Sequence, residues 1–288
     1  MDRIEPSNNV LVFGARSDIG YYLLPLLIQS GRSIYAFSHR TPDCEQTSVI
    51  WVNEDDFHEN CYLRNIEIPI VISLMPIWQL KKYENILSLI NSTSIIAFSS
   101  TSIESKKKSS NHSEREIANL LQQGELWITE YFSKENRQAL IFRPTIIYGG
   151  NQNQNINRIK KLIKITRFFV LPGQGNGLRQ PVHAEDLANL SYKCLNYNQS
   201  GTHTFNLAGG ETLKYKSMIE RIFLTTEIRP RIISLPTYLL GFLVFVFRWL
   251  PGFRDITLEM VLRVNQDLCY NHQKAIDTFD WAPRPFEP

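Results

Sequence analysis

Residues 10–20 read VLVFGARSDIG: four apolar residues run into a glycine-punctuated turn and on into a helical pattern. A short apolar run without polar alternation suits a strand covered on both faces. Gly14 permits the tight turn at its end, and Gly20 permits close packing of helix on strand. Between them, Ala15, Arg16, Ser17, Asp18 and Ile19 put bare peptide N–H groups at a helix N-terminus. The partial positive charge there favours a diphosphate. Ser17 stands where a middle glycine is usual, and its hydroxyl is small enough to donate to phosphate. Asp18 opposes an anion unless its carboxylate points outward.

Working outward, strand and helix signals alternate. Strand patterns recur at Ser33–Ser38, Ser48–Val52, Ile68–Leu74, Ser94–Ser99 and Ala139–Phe142. Helical patterns cover Ile19–Gln29, with Pro25 inside and Gly31 as a stop, and Glu114–Phe132. This predicts an α/β chain with a Rossmann-type doubly wound parallel sheet. Beyond residue 150 the pattern changes. A polar loop (151–157), a basic helix (157–167) and a Gly173-Gly175-Gly177 loop precede short strands and helices. The expected organisation is a nucleotide-binding unit over 1–150 and a smaller C-terminal α+β substrate region over 151–288, interleaved with the first. The second strand ends in Ser38-His39-Arg40, with none of the acidic residues that would bind a ribose diol. Arg40 suits a 2′-phosphate instead, so the expected dinucleotide is NADP rather than NAD.

The charge of +3 (31 basic, 28 acidic residues) gives no electrostatic case for nucleic acid. Cys44, Cys61, Cys194 and Cys269 are far apart with no CxxC pair. That reads as reduced thiols in a cytoplasmic protein, with no metal site expected. The start, MDRIEPSNN, has no apolar signal core. Leu235–Leu250 (LPTYLLGFLVFVFRWL) is apolar but carries Arg248 and is bracketed by Pro236 and Pro251. A membrane span needs about 20 apolar residues, so a buried helix or lid is the favoured reading. A weak membrane or protein contact through 239–250, and a homodimer, are the alternatives.

Six segments together resemble the extended short-chain dehydrogenase/reductase superfamily, of the NAD-dependent epimerase/dehydratase type. They are the 14–20 turn, Phe98-Ser99-Ser100-Thr101, Arg143-Pro144-Thr145-Ile146-Ile147-Tyr148-Gly149, Arg179 to Ala188 (RQPVHAEDLA), Phe205-Asn206-Leu207 with Gly209-Gly210, and Asp267 through Trp281 to Phe286. The resemblance spans nearly the whole chain. It implies that the 14–20 turn holds the pyrophosphate of a nicotinamide dinucleotide, NADP or NAD. It further implies that Ser73, Leu74 and Met75 line the adenine-ribose path, with Ser99 on the cofactor side. Pro144, Thr145 and Ile147 would flank the nicotinamide, Thr101 would hydrogen-bond a substrate oxygen, and Arg179 and His183 would face or support the substrate pocket. The implied partner is a nucleotide-linked sugar.

One departure bears on mechanism. The superfamily uses a Tyr-x3-Lys pair on the helix after the fifth strand, the tyrosine as acid/base and the lysine lowering its pKa. Here Ile117 and Leu121 occupy those places, and neither moves a proton. The chain's one Tyr-x3-Lys spacing, Tyr270…Lys274, lies in the C-terminal region and is read as coincidence. Lys106, Lys107, Lys108 and His112 follow the fifth strand and are read as solvated residues. GxSxG, HExxH and EF-hand patterns are absent. Two readings stand: an NAD(P)-dependent enzyme with non-standard acid/base residues, and a non-catalytic cofactor-binding scaffold or sensor.

Overall fold

The apolar run forms β1 (Asn9–Phe13), and its side chains divide between two cores. Val10 and Val12 enter one, Leu11 and Phe13 the other, and all four are fully buried. Covering both faces is what removes polar alternation from the sequence. The structure is a computed structural model that describes residues 8–38, 48–59, 66–133, 137–150, 154–240 and 258–288.

Beside β1 run β2 (Ser33–Phe37), β3 (Val49–Val52), β4 (Ile70–Ser73), β5 (Ser94–Phe98) and β6 (Gln138–Pro144). Two-residue strands β7 (Ile147–Tyr148), β9 (Leu178–Arg179), β10 (Val182–His183) and β12 (Leu213–Lys214) follow, with β8 (Phe169–Pro172), β11 (Gly201–Leu207) and β13 (Ile232–Leu235). The main sheet has seven strands in the order β11-β6-β5-β4-β1-β2-β3. Every pairing in it is parallel. The order reverses between β1 and β4, and such sheets bind ligands beyond the C-terminal strand ends at a reversal of this kind. β11 belongs to the C-terminal half of the chain yet completes the sheet edge beside β6.

The helices are α1 (Asp18–Gln29), α2 (Glu54–Glu59), α3 (Glu84–Leu89, after a 3₁₀ turn at Ile77–Tyr83), α4 (Ser102–Lys106) and α5 (His112–Tyr131). Then come α6 (Gln154–Thr166), α7 (Ala184–Lys193), α8 (Tyr215–Leu224), α9 (Leu258–Arg263) and α10 (Gln273–Phe279). α1, α7 and α10 cover one face of the sheet, while α3, α5 and the 3₁₀ turn cover the other. Pro25 does not interrupt α1. It lies on the exposed side with Tyr21, so the carbonyl left without its usual N–H partner faces water.

A third cluster packs α6, α8, β8 and the tail. That tail is threaded inward. The Trp281 indole donates to the Ala208 carbonyl at 3.0 Å, the Tyr148 hydroxyl donates to the Pro285 carbonyl at 2.9 Å, and Phe286 is fully buried. Arg284 binds Asp186 through Nε at 2.8 Å. Of the apolar 235–250 segment, residues 241–250 lie outside the described residues; Tyr238 and Leu239 are 79% and 38% exposed. Among the described residues, no helix is long and apolar enough to cross a membrane.

Candidate functional site

Gly14 adopts φ +72°, a left-handed conformation that L side chains rarely take. A Cβ there would stand 3.0 Å from both the Leu74 carbonyl carbon and the Met75 nitrogen. The turn is thereby pressed against the end of β4, and the Leu74 N–H donates to the Phe13 carbonyl at 2.9 Å. A Cβ on Gly20 would run into the Ala15 carbonyl, which explains the glycine at the helix–turn contact. Ala15 and Ile19 are buried. Ser17 caps α1, its hydroxyl accepting from the Gly20 N–H at 3.2 Å. The Arg16 guanidinium lies 5.4 Å above the Trp51 ring. The Asp18 carboxylate packs against Gly150, where a Cβ would strike it, and so is turned toward the 149–150 loop. Tyr22, one turn on, donates to the Gly149 carbonyl at 2.7 Å. Arg40 lies outside the described residues.

Ser73 ends β4 fully buried, and its hydroxyl has no hydrogen-bond partner among the described residues. Leu74 and Met75 are half-buried beside it. Beyond β5, the Ser99 hydroxyl donates to Glu125 Oε1 at 2.6 Å. Glu125, in α5, also accepts from Arg143 Nε at 2.8 Å and from the neighbouring guanidinium nitrogen. This buried Ser99–Glu125–Arg143 chain fixes α5 against β5 and β6. Thr101 is buried, and both its N–H and its hydroxyl donate to the Pro144 carbonyl at 3.1 Å. Thr145 donates from its N–H to Leu207 at 3.0 Å and from its hydroxyl to the Gln180 carbonyl. Ile147 is half-buried against the α1-side core. Thr101, Pro144 and Thr145 thus gather at the C-terminal ends of β5, β6 and β11.

Arg179 is buried, and its guanidinium donates to the carbonyls of Leu178, Gln266 and Arg263, each at 2.7 Å. It also lies 5.2 Å over the Tyr215 ring. Those contacts tie the 178–179 strand to the end of α9. His183 caps α7: its Nδ1 accepts from the Glu185 N–H at 3.1 Å, and its ring packs between Tyr148 and Tyr22. Burial, with the Arg284 charge second, lowers its pKa. Both residues brace the pocket region through contacts within the protein.

On α5, Ile117 is half-buried and Leu121 buried, both within the apolar core. Lys107, Lys108 and His112 are exposed, as read from the sequence. Lys106 is half-buried, and burial lowers its pKa while Glu114 opposes. Glu114 instead pairs with Arg263 of α9. The Glu125–Arg143 and Glu114–Arg263 pairs carry no local sequence signal, because each joins residues from separate elements.

No family model and no curated protein matches this chain. Solved structures do. The UDP-N-acetylglucosamine 4-epimerase from Bacillus cereus superposes with a TM-score of 0.69 at 15% identity, covering 96% of this chain and 92% of that one. The UDP-glucuronic acid 4-epimerase from Bacillus cereus, in complex with UDP-glucuronic acid and NAD, gives 0.68 at 17%, covering 96% and 95%. The UDP-glucose 4-epimerase of Thermotoga maritima, with UDP-glucose, gives 0.67 at 12%, covering 96% and 94%. The chain shares their fold. The resemblance read from six sequence segments and the superposition over nearly the full length thus agree on architecture.

Proposed function

We propose that this chain is an extended short-chain dehydrogenase/reductase that binds a nicotinamide dinucleotide at the 14–20 turn and acts on a nucleotide-linked sugar. The observation that carries the reading is Gly14: a left-handed glycine pressed against the Leu74–Met75 peptide, at the point where the strand order reverses. The residues present suit the group. The first turn of α1 offers N–H groups that have no intrahelical partner by geometry. The Asp18 carboxylate is turned onto Gly150. NAD is the dinucleotide we assign. The structural neighbours solved with a named dinucleotide carry NAD, which supports NAD and not the NADP that Arg40 suggests.

When bound, the nicotinamide supplies hydride chemistry at its C4. The protein's own contribution is orientation. With its O–H given to Pro144, the Thr101 oxygen keeps lone pairs that accept from a sugar hydroxyl. Pro144 and Thr145 are pinned to the neighbouring strand end, so this acceptor sits on rigid backbone.

The test is a fluorescence titration of the purified chain with NADH and NADPH, followed by hydride exchange with UDP- and dTDP-linked sugars. NADH binding with exchange supports the enzyme. NADH binding without exchange points to the scaffold or sensor instead, a reading favoured by the apolar Ile117 and Leu121 on α5. No binding of either dinucleotide overturns the assignment.

A further inference from the structure

The missing helical tyrosine has a spatial counterpart elsewhere in the chain. Residues 270–271 are tied to Gln180 and to Asn206 near the end of β11. The Tyr270 N–H donates to Gln180 Oε1 at 2.8 Å, and Asn206 Nδ2 donates to the Asn271 carbonyl at 3.3 Å. Gln180 in turn accepts the Thr145 hydroxyl at its backbone oxygen. The half-buried Tyr270 phenol faces the hydroxyls of Thr101 and Ser105, with Glu104 and Arg179 the charged groups around it. Lys274, four residues on, leaves in another direction. Its Nζ donates to the Thr204 carbonyl at 3.1 Å and lies 4.5 Å over the Phe205 ring. The Tyr-x3-Lys spacing is therefore coincidental as a pair, while the tyrosine alone lies beside Thr101.

We propose that Tyr270 is the proton donor of this centre, presented from the C-terminal segment to a substrate carbonyl oxygen beside Thr101, which accepts from the product hydroxyl once it has formed. The inference rests on the proposed function. In the step, a reduced nicotinamide gives hydride to a substrate carbonyl carbon and is oxidised. The phenol O–H breaks, its proton goes to the carbonyl oxygen, the carbonyl becomes an alcohol, and the phenolate takes a proton back from water. Burial, and next Glu104 as the opposing charge, raise the phenol's pKa, while the Ser105 and Thr101 hydroxyls and Arg179 pull it down; the net direction is up. The group is therefore protonated at neutral pH. It favours carbonyl reduction over alcohol oxidation, which needs the phenolate.

The experiment uses the full chain with NADH and a dTDP-linked 4-keto sugar, and tyrosine labelled with ¹³C at the ring carbon bearing oxygen. Tyr270→Phe keeps the ring. It is expected to lower kcat by about 10²–10⁴-fold with NADH binding unchanged, whereas the exposed Tyr238→Phe has no effect. The Tyr270 resonance, assigned by its loss in that variant, should titrate above an ordinary tyrosine. Thr101→Val and Ser105→Ala should each raise its midpoint further, and the keto sugar should shift the signal. Full turnover in Tyr270→Phe, or a titration indifferent to both hydroxyl deletions, overturns this assignment alone; a keto sugar left unreduced by a chain that binds NADH overturns it together with the enzyme reading and leaves the scaffold. A chain that binds no NADH overturns the proposed function beneath it.

Discussion

Replacing Gly14 by alanine places a Cβ 3.0 Å from the backbone of Leu74 and Met75, on a residue held at φ +72°. Two costs are combined there, and Gly31 separates them. Gly31 also has φ +72°, but a Cβ on it meets nothing within 4 Å. Gly31→Ala should therefore cost only the left-handed conformation, about 1–2 kcal/mol. Gly14→Ala adds overpacking against fixed backbone, about 1–3 kcal/mol more. Since the added atom is opposed by main chain, the turn itself must shift, and the N–H groups of α1 lose their aim. An NADH dissociation constant at least about tenfold weaker, or roughly 1.4 kcal/mol, is expected for Gly14→Ala and no change for Gly31→Ala. Urea midpoints with fluorescence titration of NADH read both quantities. Equal destabilisation by the two variants, with NADH affinity retained in Gly14→Ala, would refute the cradle.

Other substitutions test the supports of the site. Arg143→Met strands the Glu125 carboxylate beside Ser99; with the pair 24% and 11% exposed, the loss should be about 2–4 kcal/mol in urea unfolding. The double variant Arg143→Met/Glu125→Leu should regain part of it, and failure to do so would dismiss the ion pair as the cause. Ser17→Ala removes the cap on α1 and should cost about 1 kcal/mol, whereas an unchanged midpoint would show the hydroxyl to be idle. His183 has a folded pKa below the ordinary value of about 6.5, so the unfolded chain takes up the proton first. Stability from this residue is complete above that value and declines as pH falls below it toward the folded pKa. His183→Asn keeps a capping side chain without titrating. Urea midpoints between pH 8 and 5 should fall less steeply in that variant, and parallel slopes would remove His183 from the account.

The sheet was legible because its strands are buried on both faces. β1 as read, Val10–Phe13, differs from the observed Asn9–Phe13 by one residue, and β5 as read runs one residue past the observed Phe98. The parallel sheet followed from strand–helix alternation together with the 14–20 turn, whereas its strand order had no signal in the sequence. Side-chain roles were less legible, since they depend on partners distant in sequence. Ser99 and Arg143 converge on Glu125, a mid-helix residue with no motif around it. The resemblance has Arg179 face or support the substrate pocket, and its three backbone carbonyl partners lie at 178, 263 and 266. Tyr270 reads as coincidence because its Tyr-x3-Lys spacing lies in the C-terminal region and not on the helix after the fifth strand. Tyr270 precedes α10 and Lys274 lies in its first turn, and the two side chains part.

The inward threading of 281–287 has a bearing on biogenesis. Translation delivers these residues after every surface that they close over, including Tyr148, Ala208 and Asp186. A nascent polypeptide can pair β1 with β2 early, since domains tend to organise in the order of synthesis. The apolar cluster around Tyr148 and Ile219 stays unsealed on the ribosome until Phe286 emerges. A variant lacking residues 281–287 would expose that cluster and mark the product for chaperones or degradation.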